Sequence, residues 1–353
     1  MSFKPKFLST AIGSMPFDSL EKAVDISFKT LDAPIWPQMS YFGLLEQMEI
    51  QYSEGIPRVV IDHEKGRMYI DTSGDYSEEF GSFYEKYIAV EDGSGDLDPM
   101  AISPGYSKGI YALESRLKVN GVKYPFIKIQ TTGPCSFSLT IVDENKRAIY
   151  YNEEFRDVIV KALAMKCRWQ IQKFSPYAGK MICFIDEPIL SAFGSSTYIS
   201  VKRDDVIALL KEVIDAVHLD AAYAGIHCCG NTEWSILIDA GVDIVNFDAF
   251  TYGETIAIYS DHVKKHLEKG GMLAWGIVPT SAAIREQTVE SLQSHFEKIM
   301  DNLASKGISK KLITEQAIIT PSCGTGSMTP GDAEKVFDMV SSLAKAMKAK
   351  YNY

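Results

Sequence analysis

Short runs rich in Val, Ile, Phe and Leu alternate along the chain with longer stretches in which apolar residues recur every three or four positions. The short runs stop at Gly, Pro, Asp or Cys, and this alternation is the mark of repeated strand-helix units built around a parallel sheet. Eight runs are predicted as strands, over residues 7–12, 34–36, 126–130, 181–185, 223–226, 244–247, 272–275 and 317–320. Helical periodicity fills the intervals at 153–174, 203–217, 232–240, 254–269, 289–305 and 330–349. An earlier helix, ending near Thr30, follows Asp18 and Glu21, which have the spacing of a capping box. Thr329 is placed to cap the last helix, with Pro330 in the first turn, where its missing N–H is not needed.

Eight such units predict an α/β fold, a single (β/α)8 TIM barrel spanning residues 1–353. Between the second and third predicted strands the chain makes an excursion over about residues 41–122. Within it, residues 58–62 and 67–71 flank His63-Glu64-Lys65-Gly66 and read as a β-hairpin. The polar run at 91–96 is linker-like but lies inside this excursion, so one domain is expected. An open doubly wound sheet is the competing fold. Its phosphate-binding loop is missing, because Gly324-Thr325-Gly326 and Gly93-Ser94-Gly95 are isolated pairs that read as turns.

Composition narrows the partners. The 353 residues are 46 % hydrophobic and 23 % charged, close to the average for a folded domain. Lys and Arg number 36 against 46 Asp and Glu, a formal charge of −10, and the basic residues form no block beyond pairs such as Lys264-Lys265 and Lys310-Lys311. Nucleic acid is therefore not expected as a partner. No run of about 18 apolar residues predicts a membrane span, and the first residues lead into Leu8 and Ile12 without a signal-peptide core, so a cytoplasmic location is expected. Six cysteines are too sparse for a disulfide scaffold and read as thiols or metal ligands.

In a barrel of this kind chemistry sits at the carboxyl ends of the strands. The residues there are Gly13, Ser14, Gln38, residues 132–134, Asp186, Glu187, His227, Cys228, Cys229, Asp248, residues 276–279 and Cys323. His227 and Cys229 are two apart in an extended segment, so their side chains share a face and Cys228 takes the other. Asp248 ends the next strand and Cys323 the eighth. One imidazole and two thiolates suit Zn²⁺ at ~2.0 to 2.3 Å, with an oxygen ligand or a substrate completing the tetrahedron. The vicinal cysteines equally fit two small core residues, and a redox pair is a third reading. Cys135, Cys167 and Cys183 lie in apolar contexts and read as core. Asp186 suits a substrate ammonium group, with Glu187 facing the other way, although either could cap a helix. Gly13-Ser14 offers N–H groups and a hydroxyl to a carboxylate, or is a plain turn. The other five histidines fall in a hairpin turn or on helices and read as structural or solvent-facing.

Four motifs, in this order along the chain, resemble the catalytic barrel of cobalamin-independent methionine synthase: Ala11-Ile12-Gly13-Ser14-Met15-Pro16, Phe184-Ile185-Asp186-Glu187-Pro188, His227-Cys228-Cys229 and Thr320-Pro321-Ser322-Cys323-Gly324. The resemblance implies zinc on His227, Cys229 and Cys323, with Asp248 of Asn246-Phe247-Asp248 as the nearest match to a carboxylate ligand that is usually Glu in the family. It implies the substrate amine on Asp186 and an amino acid carboxylate near Ser14, with Asp186 and His227 as the catalytic residues. The family's Glu after the second strand is replaced here by Gln38 in Trp36-Pro37-Gln38. Because the match covers the catalytic barrel, the chain resembles the stand-alone core methyltransferases. For these a methylated corrinoid protein, rather than folate, is the implied methyl donor. The implied function is a zinc-dependent methyltransferase that activates a thiol acceptor, homocysteine or a related thiol, as a zinc thiolate. Methylcobalamin or another corrinoid would supply the methyl group. Two alternatives remain: a uroporphyrinogen decarboxylase-like enzyme, for which Arg58, Arg67 and Arg116 are the basic candidates, and a non-catalytic corrinoid- or metal-binding partner protein.

Overall fold

A computed structural model describes residues 3–353. Seven parallel strands form one sheet: β1 (Leu8–Ser9), β4 (Tyr124–Thr132), β5 (Ala178–Asp186), β6 (Tyr223–Cys228), β7 (Ile244–Phe247), β8 (Met272–Val278) and β9 (Ala317–Pro321). A separate antiparallel hairpin pairs β2 (Val59–Asp62) with β3 (Arg67–Ile70), as the sequence predicts. The spatial order β1-β9-β8-β7-β6-β5-β4 leaves β1 and β4 as edges of an open, partly curled half-barrel flanked by helices. The expected second barrel strand at 34–36 is not a ladder strand. Its segment touches both edges through isolated contacts: the Ala33 N–H donates to Ser9 O at 3.0 Å, the Lys128 N–H to Pro34 O at 3.0 Å, and Ser14 bridges Gln38. Pro34 and Pro37 explain this, since neither has an N–H to contribute to a ladder.

Every strand of the sheet is covered on both faces, which is why these runs are continuously apolar rather than alternating. The two faces are nonetheless distinct. Leu8, Ile182, Phe184, Ile244, Met272, Ala274 and Ile318 form a small cluster inside the curl, whereas their neighbours Cys183, Ile185, Val245, Leu273 and Ile319 join the larger core under the helices. The inner face becomes polar toward the carboxyl ends, through Lys128, Thr132, Asp186, His227, Asn246 and Thr320. The side-chain period of two thus sorts apolar filling from chemistry on a single face.

The helices begin where capping residues allow. Ser19, not Asp18, accepts from the Lys22 N–H at the start of the first helix, while Asn152 and Thr329 cap Glu153–Phe174 and Pro330–Tyr351. The helix predicted over 254–269 divides into a 3-10 segment, Gly253–Tyr259, and a helix, Ser260–Glu268. In the excursion, helix Ser77–Glu91 packs on Glu153–Phe174 and helix Lys108–Asn120 packs on Leu20–Thr30. Gly109 lets the second of these helices meet the 34–38 segment, because a Cβ there would lie 1.8 Å from Pro37 O. Gly109→Ala is therefore expected to lower stability by about 2 to 4 kcal/mol. A urea midpoint that falls at unchanged m-value would show it; an unshifted midpoint would count against this packing.

Candidate metal centre

His227 and Cys228 end β6, and the alternation read from sequence holds. His227 lies on the inner face, while Cys228 is fully buried in the outer core with its thiol donating to Gly230 O at 3.5 Å. Cys229 follows the strand and is only partly buried. Cys323 sits in the turn after β9. That turn is held on one side by Ser322, whose hydroxyl oxygen accepts from the Thr280 N–H at 3.0 Å, and on the other by Ser14, whose hydroxyl oxygen accepts from the Gly326 N–H at 3.3 Å. Gly324 leaves room for that hydroxyl: a Cβ there would sit 2.0 Å from Ser14 Oγ and displace it. The result is that one ligand-capable atom from each of His227, Cys229 and Cys323 lies within 4.8 Å of the others.

The imidazole is oriented by a relay that begins in the backbone. Asn246 Nδ2 donates to Ala274 O at 2.8 Å and to Thr320 Oγ1 at 2.9 Å, which turns Asn246 Oδ1 toward His227 Nδ1 at 2.5 Å. An oxygen acceptor there requires the proton on Nδ1 and leaves the Nε2 lone pair free. His227 Nε2 is buried with no hydrogen-bond partner. Such an atom is costly unless something fills it. The two thiols also differ: the proximity of Cys323 and His227 draws the Cys229 pKa down to about 4, while the same nearness to Cys229 and burial push that of Cys323 up. An imidazole nitrogen and two neighbouring cysteine sulfurs form a donor set that fits a soft divalent ion such as zinc.

The remaining candidates divide. Asp186 lies beside His227 in register across β5 and β6, and its Oδ1 is buried without a partner. Burial lifts its pKa to about 6, against the pull of Lys128 and His227. Glu187 faces the opposite way, as expected, and accepts from the Cys135 and Ser136 N–H groups at 2.9 and 2.7 Å and from the Ser136 hydroxyl at 2.7 Å. It caps helix Pro134–Thr140. Ser14 and Gln38 share a bridge at the same end of the sheet, but the Gln38 amide turns toward the excursion and donates to Gln51 Oε1 at 3.3 Å. Asp248 stands outside the three-residue group. Its carboxylate accepts from the Thr251 N–H at 2.9 Å and caps the short helix Ala249–Tyr252. Asn246 and Lys128 carry no expected role from sequence, although each is a polar residue at an inward strand position between apolar neighbours; Thr132 falls among the strand-end candidates without an assigned role.

No family model matches the chain, and no curated protein matches it. Among solved structures, the chain is similar to a B12-independent methionine synthase from Shewanella sp. W3-18-1 in complex with selenomethionine. That likeness has 14 % identity, covers 68 % of this chain and 67 % of the other, and reaches a TM-score of 0.46. ZgEngAGH5_4 in complex with a cellotriose is 11 % identical over 65 % of this chain and 87 % of the other, TM-score 0.33. A putative fructose-1,6-biphosphate aldolase from Coccidioides immitis is 10 % identical over 69 % and 85 %, TM-score 0.29. The site is accordingly read from its own residues.

Two outcomes follow. Asn246→Ala should weaken zinc affinity by about 10- to 100-fold while leaving the three ligands in place, which a competition titration against a chromophoric chelator measures. Because the Cys229 pKa lies well below its ordinary value and that of Cys323 above it, zinc binding at pH 7 should release fewer than two protons. Calorimetry in buffers of different ionisation enthalpy counts them, and a value near two would contradict the asymmetry of the thiols.

Proposed function

We propose that this chain is a single-domain, cytoplasmic, zinc-dependent methyltransferase acting on a small thiol, with residues 1–353 as one catalytic unit and the 41–122 excursion as part of it. The observation that carries the reading is the convergence of His227, Cys229 and Cys323 within 4.8 Å. The motif resemblance described above supports the choice of methyl transfer, and a methylated corrinoid is the donor it implies. His227, Cys229 and Cys323 would hold the zinc; Asp248, whose Oδ1 caps a helix, would join them only through its other carboxylate oxygen. When bound, zinc supplies the Lewis acidity that keeps a thiol deprotonated at neutral pH.

The chain's own groups perform the rest. Asn246 holds His227 in the tautomer whose Nε2 accepts rather than donates. Asp186 would offer a carboxylate to the ammonium group of an amino thiol, and the Ser14 hydroxyl would take an amino acid carboxylate, as the motif resemblance implies. Holding sulfur and amine at once orients the acceptor for attack on a methyl group, and orientation of this kind supplies a large share of a transfer rate. The decarboxylase-like alternative needs free cations for an anionic macrocycle. Arg58 instead pairs with Asp71 at 2.9 Å and Glu79 at 3.3 Å, Arg67 with Asp62 at 3.5 Å, and Arg116 with Asp25.

Cys229→Ser and Cys323→Ser should each reduce bound zinc to a small fraction of one equivalent and lower methyl transfer to a thiol by at least about 100-fold. Metal analysis and a transfer assay with methylcobalamin as donor test this. Wild-type protein that binds zinc but transfers no methyl group to any thiol would point to the non-catalytic binding role, and protein that binds no zinc would remove the reading altogether.

A further inference from the structure

Strand register places a third polar side chain on the inner face beside the centre. Thr132 of β4 is the direct partner of Asp186 of β5, which is the direct partner of His227 of β6. In parallel strands, partnered residues project to the same face, and neighbouring strands are ~4.8 Å apart. Thr132, Asp186 and His227 therefore form one row across the carboxyl end of the sheet. The row continues to Asn246, the partner of His227, where the polar atoms are paired. On the other side of His227 they are not. Thr132 Oγ1, Asp186 Oδ1 and His227 Nε2 are all buried and all lack a hydrogen-bond partner, and Thr132 is 0 % exposed.

Three orphaned polar atoms in adjacent positions of one row are unusual, since buried polar atoms are nearly always paired. Sequence alternatives for Thr132 exist: as a β-branched residue it suits a strand, and a valine would fill the same volume without an unpaired oxygen. The oxygen is what needs an explanation. Thr132 and Asp186 do not bond each other, so a group lying between them must pair with both oxygens. A primary ammonium does so with two of its hydrogens and brings a positive charge to the Asp186 carboxylate. A neutral hydroxyl can pair with both but carries no charge, and a carboxylate would set a second negative charge beside Asp186.

We infer that Thr132 is a specificity-determining residue: its hydroxyl oxygen and the Asp186 carboxylate together accept from the ammonium group of an aminothiol whose sulfur lies at the His227, Cys229 and Cys323 cluster. This rests on the metal-centre reading above and adds the direction in which the acceptor lies, along the row from β6 toward β4.

The test uses the zinc-loaded, full-length protein with two probes, cysteamine and ethanethiol, which differ by the amine. Affinities are measured by calorimetry for wild type, Thr132→Val and Thr132→Ser, with bound zinc and thermal midpoints recorded without probe. Wild type should bind cysteamine at least 10-fold more tightly than ethanethiol. Thr132→Val should lose about 10-fold toward cysteamine with ethanethiol unchanged, and Thr132→Ser should stay within about 2-fold of wild type. Bound zinc should not change, and the Thr132→Val midpoint should be equal or higher, because an unpaired buried hydroxyl has been removed. If Thr132→Val binds cysteamine as wild type does, or loses both probes equally, the role assigned to Thr132 is wrong. If neither probe binds wild type, the metal-centre reading itself fails, and this inference with it.

Discussion

Registered pairing of parallel strands is the constraint on which the rest of this protein depends. Because β4, β5, β6 and β7 pair without a slip, Thr132, Asp186, His227 and Asn246 are forced into one row on one face. A shift of one residue in any of these strands would turn its member of the row into the helix-facing core and bring an apolar neighbour inward. The order of the site is thus a property of backbone hydrogen bonding, and no loop has to be placed accurately to obtain it. Only Cys229 and Cys323 come from turns, and the second of these is pinned by contacts to Ser14 and Thr280.

The same face explains how charge is tolerated inside the curl. Lys128 is wholly buried, with its ammonium donating to Ile12 O and to Gln130 Oε1 at 3.2 Å and lying 4.7 Å from the Phe184 ring centre. Burial lowers its pKa to about 8, while Asp186 above it acts in the opposite sense. A buried cation is expensive unless paired. Here it links the edge strand β4 to the chain just after β1, across the part of the curl where Pro34 and Pro37 interrupt the ladder. Gln130 adds to that link, its amide donating to Trp36 O at 3.1 Å. Side chains close what the backbone leaves open.

Much of this was legible in the sequence. The strand positions, the excursion with its hairpin, the opposite orientations of Cys228 and Cys229, and the grouping of His227 with Cys229 and Cys323 follow from period-two patterning and from residue types at strand ends. What escaped did so for physical reasons. The segment Pro34-Ile35-Trp36, followed by Pro37, has the apolar composition of a ladder strand but not its donors, so its pattern alone resembles that of a full member of the sheet. Asp248 has the residue type of a ligand, and its second role, capping a helix through the Thr251 N–H, is not marked by composition. Asn246 and Lys128 sit among apolar neighbours in short runs that composition alone marks as core.

The centre has a further consequence for stability. His227 Nε2, Asp186 Oδ1 and Thr132 Oγ1 are removed from water without compensation, and each such atom costs about 1 to 3 kcal/mol relative to a paired one. These three atoms lie side by side at the centre, while the partners around them, from Asn246 to the Ser14 and Ser322 contacts of the Cys323 turn, are hydrogen-bonded. Rigid surroundings around unsatisfied atoms form a site that is prepared before anything binds. Whatever satisfies those atoms must stabilise the folded chain by mass action as well as through its contacts. The donors come from strands far apart in sequence and converge only in the complete sheet, so metal affinity and cooperative folding are linked through the same backbone register.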